Sequence, residues 1–255
     1  MGYRLRNPAH AGDISLDRNM SSEVKNHSPQ SLPVGYPVSV TGGAAMPRRE
    51  EYAGRLVSLT PVNPREDVSD LFRCSHGSSE KENIWTYLWA GPFADIGSMQ
   101  SWLQTAAESV DPLFLTVKEK STGHRIGMVS FMNIVQEMRR LELGHIWYAP
   151  EHQKTRVNTE AIYLLLCEAF DALQYRRIEW KCDALNERSR AAALRLGFTF
   201  EGIFRQHMII RGRNRDTAWY SMLDSEWMRV KRNLETWLYH NPGGSLSLTR
   251  LQNGQ

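Results

Sequence analysis

The sequence has few of the features that mark secreted, metal-binding or membrane-spanning proteins. It contains three cysteines in 255 residues, widely spaced and odd in number, so no disulfide framework is predicted. Its histidines and cysteines form no HxxxH or CxxC pair, so no zinc site is predicted. The longest apolar run, residues 161–167, is far shorter than a membrane span. Because the N-terminus also has no apolar signal core, a cytoplasmic protein without a membrane partner is expected.

The charge balance narrows the classes of partner. The net charge is +3, which is compatible with anionic ligands but is not a nucleic-acid signature. Residues 176–215 hold ten Lys and Arg against four Asp and Glu, which suits either a phosphorylated ligand or a solvated face. No aromatic stacking motif or recognition-helix pattern accompanies these charges, so a nucleic-acid partner is not predicted.

Composition divides the chain into three segments. Residues 1–50 contain 5 Gly, 5 Pro, 6 Ser and 3 Asn without apolar periodicity. Such a segment cannot bury enough apolar surface to offset the entropy lost on ordering, so it is predicted to be a disordered leader. Residues 51–228 are predicted to form the folded domain, and residues 229–255 a C-terminal helix that frays into a polar tail.

The folded part shows alternating strand and helix patterns. They predict an α/β sheet with a strand–helix–strand crossover in its middle. Glycine and asparagine at residues 212–214 predict a hairpin between the last two strands. The predicted strands are residues 56–62, 113–118, 125–135, 141–148, 177–182, 200–211 and 216–223, and the predicted helices lie within 65–87 and at 96–109, 158–173 and 187–196.

Two loops, each joining a strand end to a helix, carry the candidate chemistry. The first runs from Tyr148 to Asn158, where free N–H groups at a helix start would form an anion site beside Lys154 and Arg156. The alternative is an ordinary basic loop with Asn158 as the N-cap. The second loop, residues 183–190, opens the short helix with Asn186 as its N-cap. Alone, this second loop is a routine capped helix.

Together these loops resemble the GNAT superfamily of N-acetyltransferases, more narrowly the branch with the ribosomal-protein N-terminal acetylases RimJ and RimL. Residues 153–158 occupy the place of that superfamily's phosphate loop, Gln/Arg-x-x-Gly-x-Gly/Ala. The run Asn186-Glu-Arg-Ser189, with Leu196-Gly197-Phe198 and Glu201-Gly202 after it, looks like its second CoA motif. The resemblance covers residues 56–227. It implies a single α/β domain with a mixed, mostly antiparallel central sheet flanked by helices.

The resemblance also implies acetyl-CoA as co-substrate, with no metal. The strand end and the loop would hold the pantetheine and pyrophosphate, and Asn186 would contact the pantetheine arm. The implied cofactor-binding residues are Ile146, Trp147, Tyr148, Gln153, Lys154, Thr155, Arg156, Val157, Asn158 and Asn186.

Two catalytic residues follow from the same resemblance. Several members carry a glutamate base four residues before the strand end, and here that position holds Glu142. An alkyl amine is unprotonated in only about one molecule in a few thousand at neutral pH, so a group that removes its proton is needed before it can attack the thioester. Many members use a tyrosine as general acid at the position of Leu194, and Ser189 is the substitute favoured here. His145 and His207 are interpreted as hydrogen-bonded structural histidines.

The phosphate loop departs from the family pattern, because Arg156 and Asn158 replace both glycines. Arg156 is predicted to compensate by pairing with a CoA phosphate. Two functions stay open. The first is an N-acetyltransferase acting on a primary amine, either a small molecule or a protein N-terminus. The second is a non-catalytic acyl-CoA-binding or regulatory protein with the same fold. A homodimer is left open.

Overall fold

The computed structural model of the protein describes residues 32–39, 42–240 and 246–254. The chain divides into two units, one up to Val40 and one from Thr41 onward. In the first unit, residues 32–39 have no regular secondary structure and are exposed. The predictions for residues 1–31, 40 and 41 lie outside the described residues.

The second unit is built on one eight-stranded sheet. The strands are β1 (Tyr52–Ala53), β2 (Val57–Pro61), β3 (Leu113–Glu119), β4 (Arg125–Val135), β5 (Arg140–Tyr148), β6 (Arg177–Asp183), β7 (Thr199–Ile210) and β8 (Arg213–Leu223). Their order is β1-β2-β3-β4-β5-β6-β8-β7, and β5 and β6 are parallel whereas the other described neighbours are antiparallel. A parallel pair needs a crossover connection, which is the predicted strand–helix–strand unit. The predicted fold class is confirmed.

Helices flank this sheet, and local signals set several of their ends. Asn63 caps the first helix, Asp95 forms a capping box on the third, and Gly197, at φ 99°, ends the fifth. Within the described ranges, no helix is long and apolar enough to cross a membrane. The α-helices are α1 (Pro64–Ser75), α2 (Ser79–Glu82), α3 (Ile96–Glu108), α4 (Arg156–Cys167), α5 (Glu187–Leu196), α6 (Asp224–Glu235) and α7 (Leu248–Gln252). Short 3₁₀ turns cover Asn83–Tyr87 and Pro150–His152, and π-helical turns extend α4 over Glu168–Ala172 and α6 over Thr236–His240.

Two hydrophobic cores lie on the two faces of the sheet. One core combines α4, α5 and α6 with side chains such as Leu143, Ile178 and Tyr220. The other combines α1 and α3 with Met128 and Trp147. Side chains alternate across a strand. Several residues of β6 and β8 belong to the first core, so the residues between them lie on the opposite face of the sheet. That polar side of β6 and β8 takes part in the site described below.

Residues 44 and 45, before β1, pack on the domain, which corrects the predicted boundary at residue 50. The N–H of Ala44 donates to the carbonyl of Gln136 at 2.9 Å, and the Tyr175 hydroxyl donates to the carbonyl of Ala45 at 3.1 Å. Ala44 is buried. Composition did not reveal this packing because the contacts use backbone groups, which every residue possesses.

The C-terminal segment is also packed, so the predicted frayed tail is wrong in its described part. Leu248 of α7 is buried in the first core. The Asn233 side chain of α6 donates to the carbonyl of Leu251 at 2.9 Å, and Arg229 donates to that of Gln252 at 2.9 Å. A single apolar residue docked on a neighbouring helix leaves no periodic pattern in a polar sequence.

Candidate active site

The site begins where two parallel strands separate. β5 and β6 pair at three positions only, the last of which joins Glu142 to Glu179. Beyond it, β5 continues to Tyr148 beside β4, and β6 continues to Asp183 beside β8. We call the gap between residues 143–148 and residues 180–183 the strand opening. Backbone groups that line it do not pair with the facing strand and can therefore bind a ligand.

A β-bulge in β5 lies at this opening. The register of β5 against β4 shifts between Ser130 and Met128, and His145 adopts a left-handed conformation with φ 49°. Its ring nitrogen Nδ1 lies 3.1 Å from the Ser130 hydroxyl, and its ring packs 4.6 Å from that of Phe114. Burial lowers the pKa of His145 to about 4, so its imidazole is neutral at neutral pH. The bulge therefore displaces the strand backbone without placing a charge in the opening.

Two cavities lie at the predicted loops, and the larger one borders the opening. The large cavity, about 620 Å³, is lined by four predicted site residues: Glu142, Ile146, Asn186 and Ser189. The small cavity, about 240 Å³, is lined by Gln153 and Lys154 of the phosphate loop together with Arg188. Ile84 lines both cavities, so they adjoin. The fold thus brings residues of both sequence-predicted loops to two adjoining cavities.

Glu142 lies on the polar side of β5, buried at the edge of the large cavity. Its Oε2 accepts a hydrogen bond from Asn133 Nδ2 at 2.6 Å and lies 2.8 Å from Lys181 Nζ. Burial raises the pKa of Glu142, while Lys181 and Asn133 act in the opposite direction. A carboxylate with a raised pKa is a stronger base than an exposed one, so Glu142 suits proton abstraction.

The second motif is built as predicted at the start of α5. Asn186 is the N-cap, and its Oδ1 accepts from the N–H of Ser189 at 3.1 Å. The Ser189 Oγ accepts in turn from Trp180 Nε1 at 3.0 Å. Because a hydroxyl keeps its own proton while accepting, Ser189 remains able to donate into the large cavity. Leu194, at the family's tyrosine position, is half exposed.

The phosphate loop ends two residues earlier than predicted. α4 starts at Arg156 and not at residue 158, and Thr155 rather than Asn158, the cap of the alternative interpretation, is at the N-cap position. Thr155 has extended backbone, and its hydroxyl donates to the carbonyl of His152 at 2.8 Å instead of capping the helix. Lys154 takes a left-handed conformation, φ 60°, beside the small cavity. The first-turn N–H groups of α4 are therefore left for an anion.

Arg156 contacts the C-terminal part of the domain. Its Nη2 donates to the carbonyl of Trp237 at 2.7 Å, and its guanidinium lies 5.6 Å from the Trp237 ring centroid. Sequence spacing placed Arg156 in the loop but could not show this contact, which spans 81 residues. Lys154 rather than Arg156 is the loop cation that lines a cavity.

Other predicted binding residues have structural side chains. Trp147 is buried in the second core, and Val157 packs against the first. The Tyr148 hydroxyl donates to the carbonyl of Asn158 at 3.3 Å, and Gln153 Nε2 donates to the carbonyl of Tyr148 at 3.1 Å. Trp147, Tyr148 and Val157 would thus meet a ligand through backbone atoms.

Four of the large-cavity residues that sequence reasoning missed are important for the site. Lys181 and Asn133 hold Glu142, and Arg215 and Trp219 line the wall formed by β8. The alternation in β6 was a usable signal for Lys181, because it places this lysine opposite the apolar Trp180. The other three carried no local signal.

Comparison with known proteins agrees with this geometry. The model of the acetyltransferase (GNAT) domain matches residues 57–199. YdaF of Bacillus subtilis, provisionally described as a ribosomal N-acetyltransferase, is 35% identical over 105 residues, which are 41% of this chain and 57% of YdaF. The ribosomal-protein-serine acetyltransferase of Escherichia coli is 29% identical over 115 residues, 45% of this chain and 62% of that enzyme. The chain thus spans less than two thirds of either relative.

A solved structure extends the match. The GCN5-related N-acetyltransferase from Brucella melitensis superposes with a TM-score of 0.81 at 38% identity. The superposition covers 85% of this chain and 100% of that one. Since the family model also matches more than half of the residues, this chain belongs to the GNAT acetyltransferase family.

Proposed function

We propose that the protein transfers the acetyl group of acetyl-CoA to a primary amine. The observation that supports this most directly is the buried carboxylate of Glu142 at the strand opening, in a cavity that Ser189 also lines. A base and a hydroxyl donor in one cavity provide the two proton transfers that acyl transfer to an ammonium group requires.

The residues present fit acetyl-CoA. The uncapped first turn of α4 and Lys154 would receive its phosphates, and the unpaired edge of β5 at residues 143–148 would receive the amide groups of its pantetheine arm. Asn186 would flank that arm from the start of α5. When bound, acetyl-CoA supplies the thioester carbonyl that the amine attacks.

The protein's own groups then move two protons. Glu142 accepts a proton from the bound ammonium group, directly or through a water molecule, and so produces the nucleophilic amine. Lys181, 2.8 Å away, favours the ionised form of Glu142 before this transfer. The Ser189 hydroxyl donates a hydrogen bond toward the departing sulfur, and Trp180 fixes its orientation.

One observation favours a second candidate, a non-catalytic acyl-CoA-binding protein. Oε2 of Glu142 is already engaged by Lys181 and Asn133, and a carboxylate held in this way could serve structure alone. The two candidates separate in one experiment, a thiol-release assay with acetyl-CoA and a panel of amines, run beside a titration with CoA. Binding with turnover supports the transferase, and binding without turnover on any amine supports the alternative.

Ser189→Ala is expected to slow turnover less than loss of the base does, because a thiolate is a tolerable leaving group without a proton donor. We expect a fall of roughly tenfold in kcat with an unchanged Kd for CoA, measured by thiol release and calorimetry. Ser101→Ala, at an exposed position of α3, is the matched control. If only the affinity for CoA falls, Ser189 is a binding residue and not the acid.

Lys154→Ala is expected to weaken acetyl-CoA binding by about tenfold, since one charge-assisted contact to phosphate is lost. A pantetheine thioester without the nucleotide phosphates should bind equally to both forms. Lys118→Ala, on β3, controls for the loss of one positive charge. Equal losses for both donors would show that the substitution merely disturbs the loop.

Arg156→Ala tests the other loop cation. If Arg156 contacts a CoA phosphate, Arg156→Ala should also weaken the binding of acetyl-CoA and leave the binding of the pantetheine thioester unchanged. Contact with Trp237 alone predicts a lower Tm with unchanged preference between the donors, and we expect this result because the guanidinium already donates to that carbonyl. A loss confined to acetyl-CoA at an unchanged Tm would restore Arg156 to the phosphate site.

A further inference from the structure

One wall of the large cavity carries hydrogen-bond donors without acceptors. Arg215 Nε and Trp219 Nε1 are both inaccessible to solvent, and neither has a hydrogen-bond partner among the residues that the structure describes. Both residues line the large cavity. Buried donors in folded proteins are almost always satisfied, so two orphans on one cavity wall indicate a ligand with acceptor oxygens.

The two donors lie on one strand face. Arg215, Thr217 and Trp219 alternate along β8, so their side chains project to the same side of the sheet. Trp219 pairs with Lys181 of β6, whose Nζ lies 4.1 Å from the Trp219 ring centroid. Lys181 in turn contacts Glu142. The wall therefore runs from the base Glu142, across Lys181 and Trp219, to Arg215.

The spacing along this wall is that of a small extended ligand. Trp219 lies four positions after Arg215 on β8, which corresponds to about 13 Å of strand. An amine placed beside Glu142 can thus belong to a molecule whose other end reaches Arg215.

The acidic side chains of the cavity are already engaged. Glu142 contacts Lys181, the Asp183 carboxylate accepts from the N–H of Leu185 at 2.9 Å, and Asp111 accepts from two backbone N–H groups of β4. In the described part of the chain, no ion pair or hydrogen bond involves the Arg215 side chain. Arg215 thus presents a positive charge to the cavity that no carboxylate of the wall neutralises.

We propose that this wall binds the molecule whose amine is acetylated, and that Arg215 binds an anionic oxygen group, a carboxylate or a phosphate, at its far end. Trp219 binds an uncharged acceptor oxygen between that end and the amine. The Arg215 guanidinium supplies charge and fork-shaped donors, and the Trp219 indole adds one directed N–H. This subsite rests on the proposed transfer to an amine and adds to it the class of acceptor. The preferred acceptors are amines with a negatively charged far end, such as short peptides with a free C-terminus.

The test uses pairs of amines that differ only in that charge. Triglycine is compared with triglycinamide for the carboxylate, and aminohexyl phosphate with aminohexanol for the phosphate. For the wild type we expect KM to be about tenfold lower for the anionic member of at least one pair, and the pair that responds identifies the group. In Arg215→Met that preference should disappear, because KM for the anionic member rises to that of the neutral one.

Three further variants sharpen the result. Arg213→Met removes the same charge from the exposed start of β8 and should keep the preference. Trp219→Phe should raise KM for triglycine and triglycinamide alike, and Arg215→Lys should retain part of the preference for the anionic member. A wild type that does not discriminate within either pair, or an Arg215→Met variant that still does, overturns the subsite.

Failure of the proposed function gives a different pattern. If no amine is acetylated, calorimetric titration of the wild type and Arg215→Met with triglycine and aminohexyl phosphate still measures the subsite. A lower affinity of Arg215→Met for either compound supports the subsite in a protein that binds such molecules without acetylating them. Equal or absent affinities in the two forms overturn it.

Discussion

Replacing Glu142 with glutamine is expected to lower turnover by about 10²–10⁴ while leaving the affinity for acetyl-CoA intact. Glutamine preserves the shape of the side chain and an acceptor for the 2.6 Å hydrogen bond from Asn133, but it cannot take a proton from an ammonium group. Thiol release at saturating acetyl-CoA measures the first quantity, and titration with CoA measures the second.

Glu179→Gln is the matched control for this substitution. Glu179 is also buried and lies 2.9 Å from the same Lys181, yet it is not among the residues that line the large cavity. Its replacement should leave kcat within a few-fold of the wild type. Turnover of Glu142→Gln within a factor of about two of the wild type would remove Glu142 from the mechanism.

The pH profile should identify the same group. A base acts only when ionised, so kcat falls as the pH drops through its pKa. Because burial raises the pKa of Glu142, this loss should begin at a less acidic pH than for an exposed glutamate. Lys181→Met removes an ammonium that lowers this pKa and should move the acidic limb to still higher pH. In Glu142→Gln the limb should vanish.

Replacing Glu160 with alanine is expected to destabilise the fold by roughly 3–5 kcal/mol, the largest effect on stability that we anticipate. Glu160 is fully buried in α4. Its carboxylate accepts from the N–H groups of Arg55, Leu56 and Val57 at 2.9, 2.6 and 2.8 Å, and from the Tyr239 hydroxyl at 2.7 Å. Alanine would leave these donors without an acceptor and open a cavity at the start of β2.

For a domain of this size, such a loss corresponds to a fall in Tm of roughly 10 °C, which calorimetry would detect. Glu160→Gln keeps one acceptor oxygen and should cost less than alanine. Glu137→Ala, at an exposed position in the turn between β4 and β5, controls for the lost carboxylate. An alanine variant within about 1 kcal/mol of the wild type would show that water satisfies the donors of β2.

Local signals in the sequence were sufficient for most of the fold. Alternation in β6 placed Ile178 and Trp180 in the core, and an asparagine before a helical pattern placed Asn186 at the start of α5. Gly197, directly after the predicted helix 187–196, ends that helix in a left-handed conformation. Each of these depends on neighbours a few residues away, which a sequence displays directly.

The start of α4 shows where local signals become ambiguous. Thr155 and Asn158 are both good N-cap residues, and their side chains alone do not rank them. In the structure Thr155 occupies the N-cap position, but its hydroxyl donates to the carbonyl of His152 and does not cap the helix. The family pattern located the loop, but the packing around it set the helix boundary.

The chain's residues alone established the order of strands and helices, the family resemblance, and the two loops that border the site. They did not establish that Glu142 meets Lys181, that Arg156 meets Trp237, or that Arg215 and Trp219 present unpaired donors to the same cavity. Periodicity and capping act over a few residues, and the chain itself supplies them. Contacts between distant side chains depend instead on strand register, on the bulge at His145 and on how helices pack, so they exist only once the whole domain is assembled.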